Sequence, residues 1–400
     1  MQLTLAALGS GQWDTLTGQV QDRLLQAQCI LGAPRLLADL PAECTPNRIA
    51  ATTAPQLLAA IRREGLERLV VAYSGDSGFY SGARSLIPLL EAEKIEYTLL
   101  PGLSSVQMLA ALLGRPWQEW LLISAHGVDC DPVAAVSQGR PAFFLTGGAL
   151  DPAALCKKLV EAGLGQLPVT VGENLYCSQQ RITALTARDG AEMGFAPLSV
   201  LLAEAAPMPL RRTPGLQDSA FVRGKVPMTK QLVRTAILAK LAVAPEHILW
   251  DVGAGTGSVS VELALAAPKG RVYAVECKPE ACDLIRQNRE AFHTWNLELV
   301  PGRAPEVLGD LPAPDAVFIG GSGGAMDAIV QVALEKNPRA RLCISAIALE
   351  TVQAAMAALT ARDISATVTQ LSVSETKPAG GLNLLMANNP IFLITGNCDD

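Results

Sequence analysis

The chain has 400 residues, half of them hydrophobic and 18% charged, enough for two cores and without the composition of a disordered region. A formal charge of −6 argues against a general nucleic-acid binder, since phosphate contacts need a concentrated excess of Lys and Arg, and favours a small-molecule substrate. Apolar runs such as 66–73 and 340–348 stop well short of the roughly 20 residues of a membrane span; nine cysteines without a Cys-x-x-Cys pair and three scattered histidines argue against a disulfide framework or a metal site.

The first residues, Met1-Gln-Leu-Thr-Leu5, lack the basic segment and apolar core of a secretory signal and read as a strand, so a cytoplasmic location is expected. Strands at 3–8, 68–73 and 95–100 alternate with helices at 16–28, 82–93 and 104–113. That rhythm predicts an α/β fold with parallel strands. Further strands are expected at 121–124, 141–146, 168–171 and 198–202, with a helix at 151–162, and the first domain should end near Ala206. Pro207, Pro209, Pro214, Gly215, Gly224 and Pro227 break regular structure and mark residues 207–225 as a linker or extended arm between domains at 1–206 and 226–400. The alternation then restarts, with a helix at 229–241 and strands at 247–252, 271–276, 297–300, 316–320 and 341–346. A late strand pair at 366–373 and 390–394 completes a doubly wound, Rossmann-like order with an antiparallel end. Each cysteine is read as a small buried apolar residue.

His247-Ile-Leu-Trp-Asp-Val-Gly-Ala-Gly-Thr-Gly257 is an apolar strand running into a glycine loop, with a helix expected from about Ser258. Glycines let the backbone turn and approach a ligand closely, and the helix start offers free N–H groups. Gly253, Ala254, Gly255, Thr256 and Gly257 are therefore a candidate nucleotide-cofactor loop. The spacing is Gly-x-Gly-x-Gly; a dinucleotide fingerprint would place a glycine at Ser258. Asp251 at the strand end is placed to meet an amino group, and Glu276, ending Tyr-Ala-Val-Glu, to accept from ribose hydroxyls. This pairing resembles class I S-adenosylmethionine methyltransferases. Val226-Pro-Met-Thr-Lys-Gln-Leu-Val-Arg234, Pro301-Gly-Arg-Ala-Pro-Glu306, residues 315–324 and Lys377-Pro-Ala-Gly-Gly381 extend the likeness. Over nearly all of 213–395 they resemble the precorrin C15-methyltransferases that also decarboxylate the ring. The resemblance implies cofactor contacts at Thr229, the loop 253–257, Glu276 and the backbone of Ala304.

In the first half, residues 70–80 (Val-Val-Ala-Tyr-Ser-Gly-Asp-Ser-Gly-Phe-Tyr) and 99–107 are strands entering small-residue turns, each by itself an ordinary capped turn. Together, and with Leu113-Gly-Arg-Pro-Trp117, Ser124-Ala-His-Gly127 and Val171-Gly-Glu-Asn-Leu175, they resemble the tetrapyrrole methylases, in the precorrin C5-methyltransferase branch, over roughly 1–205. That resemblance implies a two-lobed α/β fold holding the same cofactor, with Gly75 and Asp76 in the cofactor loop and Ser104 and Ser105 on a second wall. His126 is a candidate acid or base and equally a positioning histidine beside a glycine turn.

Both resemblances imply a corrinoid polyacid as substrate, which an acidic protein must meet with local cations. Arg211, Arg212, Arg223, Lys225, Lys230 and Arg234, against the lone acid Asp218, form such a cluster. Arg223, Lys225 and Lys230 flank Thr229 and are the candidate substrate contacts; a solvated basic linker is the alternative. A homo-oligomer is the expected assembly. Two rival functions stay open: an RNA methyltransferase, disfavoured by charge, and a chain in which the second domain alone is catalytic.

Overall fold

The computed structural model describes residues 2–209 and 213–397. Arg211 and Arg212 of the basic cluster lie outside the described residues. Two compact units result, one of residues 1–132, 140–160 and 165–204, the other chiefly of residues 205–400.

The first unit holds two sheets. Strands β1 (Gln2–Ala7), β2 (Cys29–Gly32), β3 (Arg48–Ala50), β4 (Arg68–Tyr73) and β5 (Tyr97–Leu100) form a parallel sheet in the order β3-β2-β4-β1-β5. Side chains alternate across a strand, so Leu69, Val71 and Tyr73 face one core while Val70 and Ala72 face another on the opposite side. Helices cover both faces, which is why β4 is apolar nearly throughout. The segment between the first two expected elements and β4 holds β2, β3 and the helix Ala54–Glu64, none of them among the expected elements. That helix begins at a capping box between Thr53 and Gln56.

The second sheet runs β6 (Leu121–Ser124), β7 (Ala142–Leu145), β8 (Pro168–Glu173), β9 (Arg181–Thr186) and β10 (Ser199–Ala203), in the order β6-β7-β10-β8-β9. Only β6 and β7 are parallel; the other pairs are antiparallel, so the expected parallel pattern fails in this lobe. The reason is connectivity: β8 and β9 are joined by a short loop, too short for a helical crossover.

The second unit is built on β11 (Ile248–Val252), β12 (Arg271–Glu276), β13 (Leu297–Pro301), β14 (Ala316–Ile319), β15 (Arg341–Ala346), β16 (Thr367–Leu371) and, after the antiparallel hairpin β17 (Ser374–Ala379) and β18 (Leu382–Ala387), β19 (Ile391–Gly396). Its sheet order is β13-β12-β11-β14-β15-β19-β16, parallel except at β19, which is antiparallel to both neighbours. The chain leaves β11 to one side for β12 and β13, then returns to the other for β14 and β15. The carboxyl ends of β11 and β14 therefore flank a topological switch point, where a crevice opens above an α/β sheet.

Candidate active site

At that crevice lies a cavity of about 1370 Å³. One wall is the glycine loop. Gly253 has φ +74° and its Cα stands so close to the neighbouring loop that a Cβ would fall 2.5 Å from the Gly321 carbonyl oxygen; only glycine fits. The helix Ser258–Ala266 starts directly after the loop, with Gly257 at its N-cap. Gly253, Ala254, Gly255 and Thr256 all line the cavity, and the Thr256 hydroxyl is buried with no hydrogen-bond partner among the described residues.

Glu276 ends β12 on the same wall and is 8% exposed. Its Oε2 accepts the Gly255 N–H (2.9 Å), and its Oε1 accepts those of Cys277 (2.8 Å) and Lys278 (2.9 Å). A carboxylate has about four lone-pair sites. The backbone takes three of them, so Glu276 both shapes the loop and keeps room for a ligand hydroxyl.

Asp251 differs from its expected placement. It is fully buried within β11 beneath the loop and does not line the cavity. Ser260 donates to its Oδ2, while Oδ1 has no partner among the described residues. Burial pushes its carboxyl up to about 7, against the lowering effect of the Ser260 bonds, and the Glu276 charge adds to the rise. Ala304 likewise packs into the core below and leaves the wall to its neighbour Arg303. Gly257 is also behind the lining.

A further part of the lining comes from the strap 213–230, which packs against the glycine loop, a Cβ on Gly255 falling 3.3 Å from the Pro227 carbonyl oxygen. Arg223, Thr229 and Lys230 line the cavity; Lys225 is exposed and does not. Lys230 lies 3.5 Å from Asp218, whereas the Arg223 side chain has no hydrogen bond or ion pair among the described residues. Arg234 corrects the sequence reading outright. It is not part of a solvated basic patch but 0% exposed, bonded to Glu262 (2.9 Å), to Asp218 (2.8 Å) and to the Thr229 carbonyl (2.6 Å).

Several wall residues were not named as contacts from sequence, although two of their segments, 301–306 and 315–324, carried the resemblance. Lys278 and Arg303 bring two more cations to the cavity, the Arg303 guanidinium lying against Gly323. The loop Gly320–Gly324 follows β14, and a strand ending in a glycine run was the available signal. Ser345, Thr351, Glu375 and Asn388 come from the antiparallel end and carry no local mark. Cys277 is exposed on the wall, unlike buried Cys29, Cys44, Cys156, Cys282 and Cys343.

In the first unit the loops after β1, β4 and β5 meet. Gly9 and Gly75 exchange backbone hydrogen bonds (3.0 and 2.8 Å), and Asp76 accepts from Gly78 (2.8 Å) and Gly102 (3.4 Å). A Cβ on Gly102 would sit 2.6 Å from the Ala7 carbonyl oxygen, so this junction also requires glycine. Ser104 caps the helix Ser105–Leu113 in a capping box with Gln107, which engages its hydroxyl; Ser105 opens the helix half-buried. The exposed His126 ring covers Gly147, with Nδ1 3.4 Å from the Thr146 carbonyl oxygen.

The family profile described as Tetrapyrrole (Corrin/Porphyrin) Methylases matches residues 2–190, and that described as Precorrin methyltransferase domain matches 219–396. A probable cobalt-precorrin-6B C(15)-methyltransferase (decarboxylating) of Pyrobaculum calidifontis is 41% identical over 186 residues, 46% of this chain and 95% of its own. A precorrin-6Y C(5,15)-methyltransferase (decarboxylating) of a Sinorhizobium species is 29% identical over 388 residues, covering 95% of this chain and 92% of its own. The chain belongs to the decarboxylating precorrin methyltransferases. A further relative, the cobalt-precorrin-6B C(15)-methyltransferase (decarboxylating) of Salmonella typhimurium, is 40% identical over 184 residues, 45% of this chain and 94% of its own. The chain thus joins, in one polypeptide, a tetrapyrrole methylase part and a precorrin methyltransferase part, both α/β. No helix among the described residues is long and apolar enough to cross a membrane.

Proposed function

We propose that the chain uses S-adenosylmethionine to methylate precorrin-6B, or its cobalt form, at C5 in the first unit and at C15 in the second, and removes carbon dioxide from the ring C12 acetate in the second. The observation that carries the second-unit part of this reading is the 1370 Å³ cavity, lined by the glycine loop, Glu276 and the cations Arg223, Lys230, Lys278 and Arg303. Typical small-ligand pockets are about 300–1000 Å³. This one has space for a nucleoside cofactor together with part of a macrocycle.

The residues fit that cofactor: a close-approach loop, a buried and unpartnered Thr256 hydroxyl and a carboxylate with lone-pair capacity at Glu276. When bound, it supplies an electrophilic methyl group, and the transfer needs alignment and a dry site more than a protein nucleophile. Glu276 and the loop would orient it. The cations would hold the carboxylates on the rim of the ring, and strap and loop together would keep water out. Decarboxylation breaks the bond to the carboxylate carbon and releases carbon dioxide; the conjugated ring absorbs the electron pair left behind until a proton from solvent converts the arm to a methyl group.

Titrating labelled S-adenosylmethionine into the full chain, with mass spectrometry of products from metal-free and cobalt-containing substrates, tests the proposal. Two cofactor sites and a product gaining two methyl groups while losing carbon dioxide are expected. One site and one added methyl would leave the second unit as the sole catalyst, and no mass change on either ring would reject the reading.

A further inference from the structure

The strap 213–230 has only one turn of regular structure, the 3-10 turn Asp218–Ala220, so its backbone groups must find other partners. Three buried polar side chains on three successive helices provide them. Glu262, on the helix Ser258–Ala266, accepts from the Gly215 N–H (2.7 Å) and the Leu216 N–H (3.1 Å). Arg234, on the helix Gln231–Leu241, donates to the carbonyls of both Leu216 and Thr229, closing the strap's two ends on one guanidinium. Asn288, on the helix Pro279–Ala291, holds the middle: its Oδ1 accepts the Val222 N–H (2.8 Å) and its Nδ2 donates to the Val222 carbonyl (3.1 Å).

Of the three, Asn288 is the one whose bonds also reach the glycine loop, because the same Nδ2 donates to the Thr256 carbonyl (2.9 Å). It is 0% exposed and does not line the cavity. On one side of it stands Thr256 of the cofactor loop; on the other stands Val222, the residue before the cavity cation Arg223. We propose that Asn288 is a positioning residue that couples the cofactor loop to the substrate-facing strap. This rests on the reading that the loop holds cofactor and the strap meets substrate. The amide is short and both its ends are engaged. A ligand that fixes Thr256 therefore fixes Val222, and with it the Arg223 side chain, before the macrocycle arrives. Binding of the two ligands is linked through one buried side chain, and such links are reciprocal.

Hydrogen exchange of the full chain, with and without S-adenosylhomocysteine, tests the coupling in the wild type, Asn288→Ala and Asn288→Asp. The alanine removes all three bonds. The aspartate keeps the acceptor for Val222 and loses both donors, so it remains informative if the alanine variant does not fold. In the wild type the ligand should slow exchange at residues 253–257 and, by roughly fivefold or more, at 221–225. In the variants the loop should still respond while the strap does not. Substrate KM should rise, with kcat at saturating substrate within about twofold of wild type, as expected for lost ground-state positioning. Equal ligand protection of the strap in both variants, or none in the wild type despite a protected loop, would overturn the coupling. A wild-type loop indifferent to the ligand would instead sink the assignment of the cofactor site, and the coupling with it.

Discussion

Glu276 joins two tasks in one side chain, since its carboxylate both receives three backbone N–H groups of the loop and the following turn and faces the cavity. Glu276→Ala should therefore weaken cofactor binding by more than a lost ligand contact alone. Hydrogen bonds to a charged group are worth about 1.5–3 kcal/mol each, so a loss of at least roughly tenfold in affinity is expected by calorimetric titration. C15 methylation with decarboxylation should fall, while C5 methylation of a supplied C15-methylated substrate persists. Collapse of both in a folded variant would contradict separate sites. Asp251 gives a different, pH-dependent signal. Its folded carboxyl is raised to about 7 from 3.8, so the folded state holds a proton that the unfolded chain has released. Stability must then decline as pH rises from about 4 through 7, relative to a protein lacking the group. Urea unfolding of the wild type and Asp251→Asn across that range should diverge in the variant's favour with rising pH and run parallel above it. A constant difference at all pH values would mean that Asp251 ionises as freely folded as unfolded.

At the scale of elements, the two loops at the switch point are packed as one unit, and two glycines in them should respond in opposite ways. Gly253→Ala drives a methyl into the Gly321 backbone from a left-handed conformation, a strain of about 1–3 kcal/mol. It should lower the melting temperature and abolish cofactor binding. Gly321→Ala meets open space and its φ is not positive, so stability should stay within about 0.5 kcal/mol while ligand affinity changes at the cavity wall. Matching losses of stability in both variants would contradict open space beside Gly321. The same elements indicate what local pattern could reveal. β4 and β12 keep their expected limits because each is a compact apolar run that starts at an arginine and ends at or just before charge or glycine. β3, with three residues, is too short to carry a periodicity. The hairpin β17–β18 has every residue exposed, so no buried face wrote alternation into it. In the site, Glu276 and the loop were legible because strand, glycines and acid follow one another closely. The role of Arg234 was not, because its acidic partner Glu262 is 28 residues away and only folding brings the two together.

For the whole molecule the proposed function sets a mismatch of sign: a chain of net charge −6 would have to attract a polyacid. Long-range attraction is therefore the wrong place to look, and the cations that matter should be those within contact distance of the ring. The geometry separates them. Arg223 lines the cavity with a side chain unpaired among the described residues, Lys230 lines it but lies 3.5 Å from Asp218, and Lys225 stands off the wall. Arg223→Glu should raise the apparent substrate constant clearly, Lys225→Glu much less, and Lys230→Glu to an intermediate degree, with cofactor affinity hardly altered in any of them. Surface attraction is screened over about 10 Å at 0.1 M salt. The three variants should therefore converge toward one another as salt rises only in so far as their effect is a general field, while the Arg223 deficit, arising at contact, should persist. Steady-state kinetics at low and high ionic strength decides between the two. Equal effects of Arg223→Glu and Lys225→Glu, both vanishing in high salt, would make the strap a diffuse electrostatic surface and remove Arg223 from the substrate site.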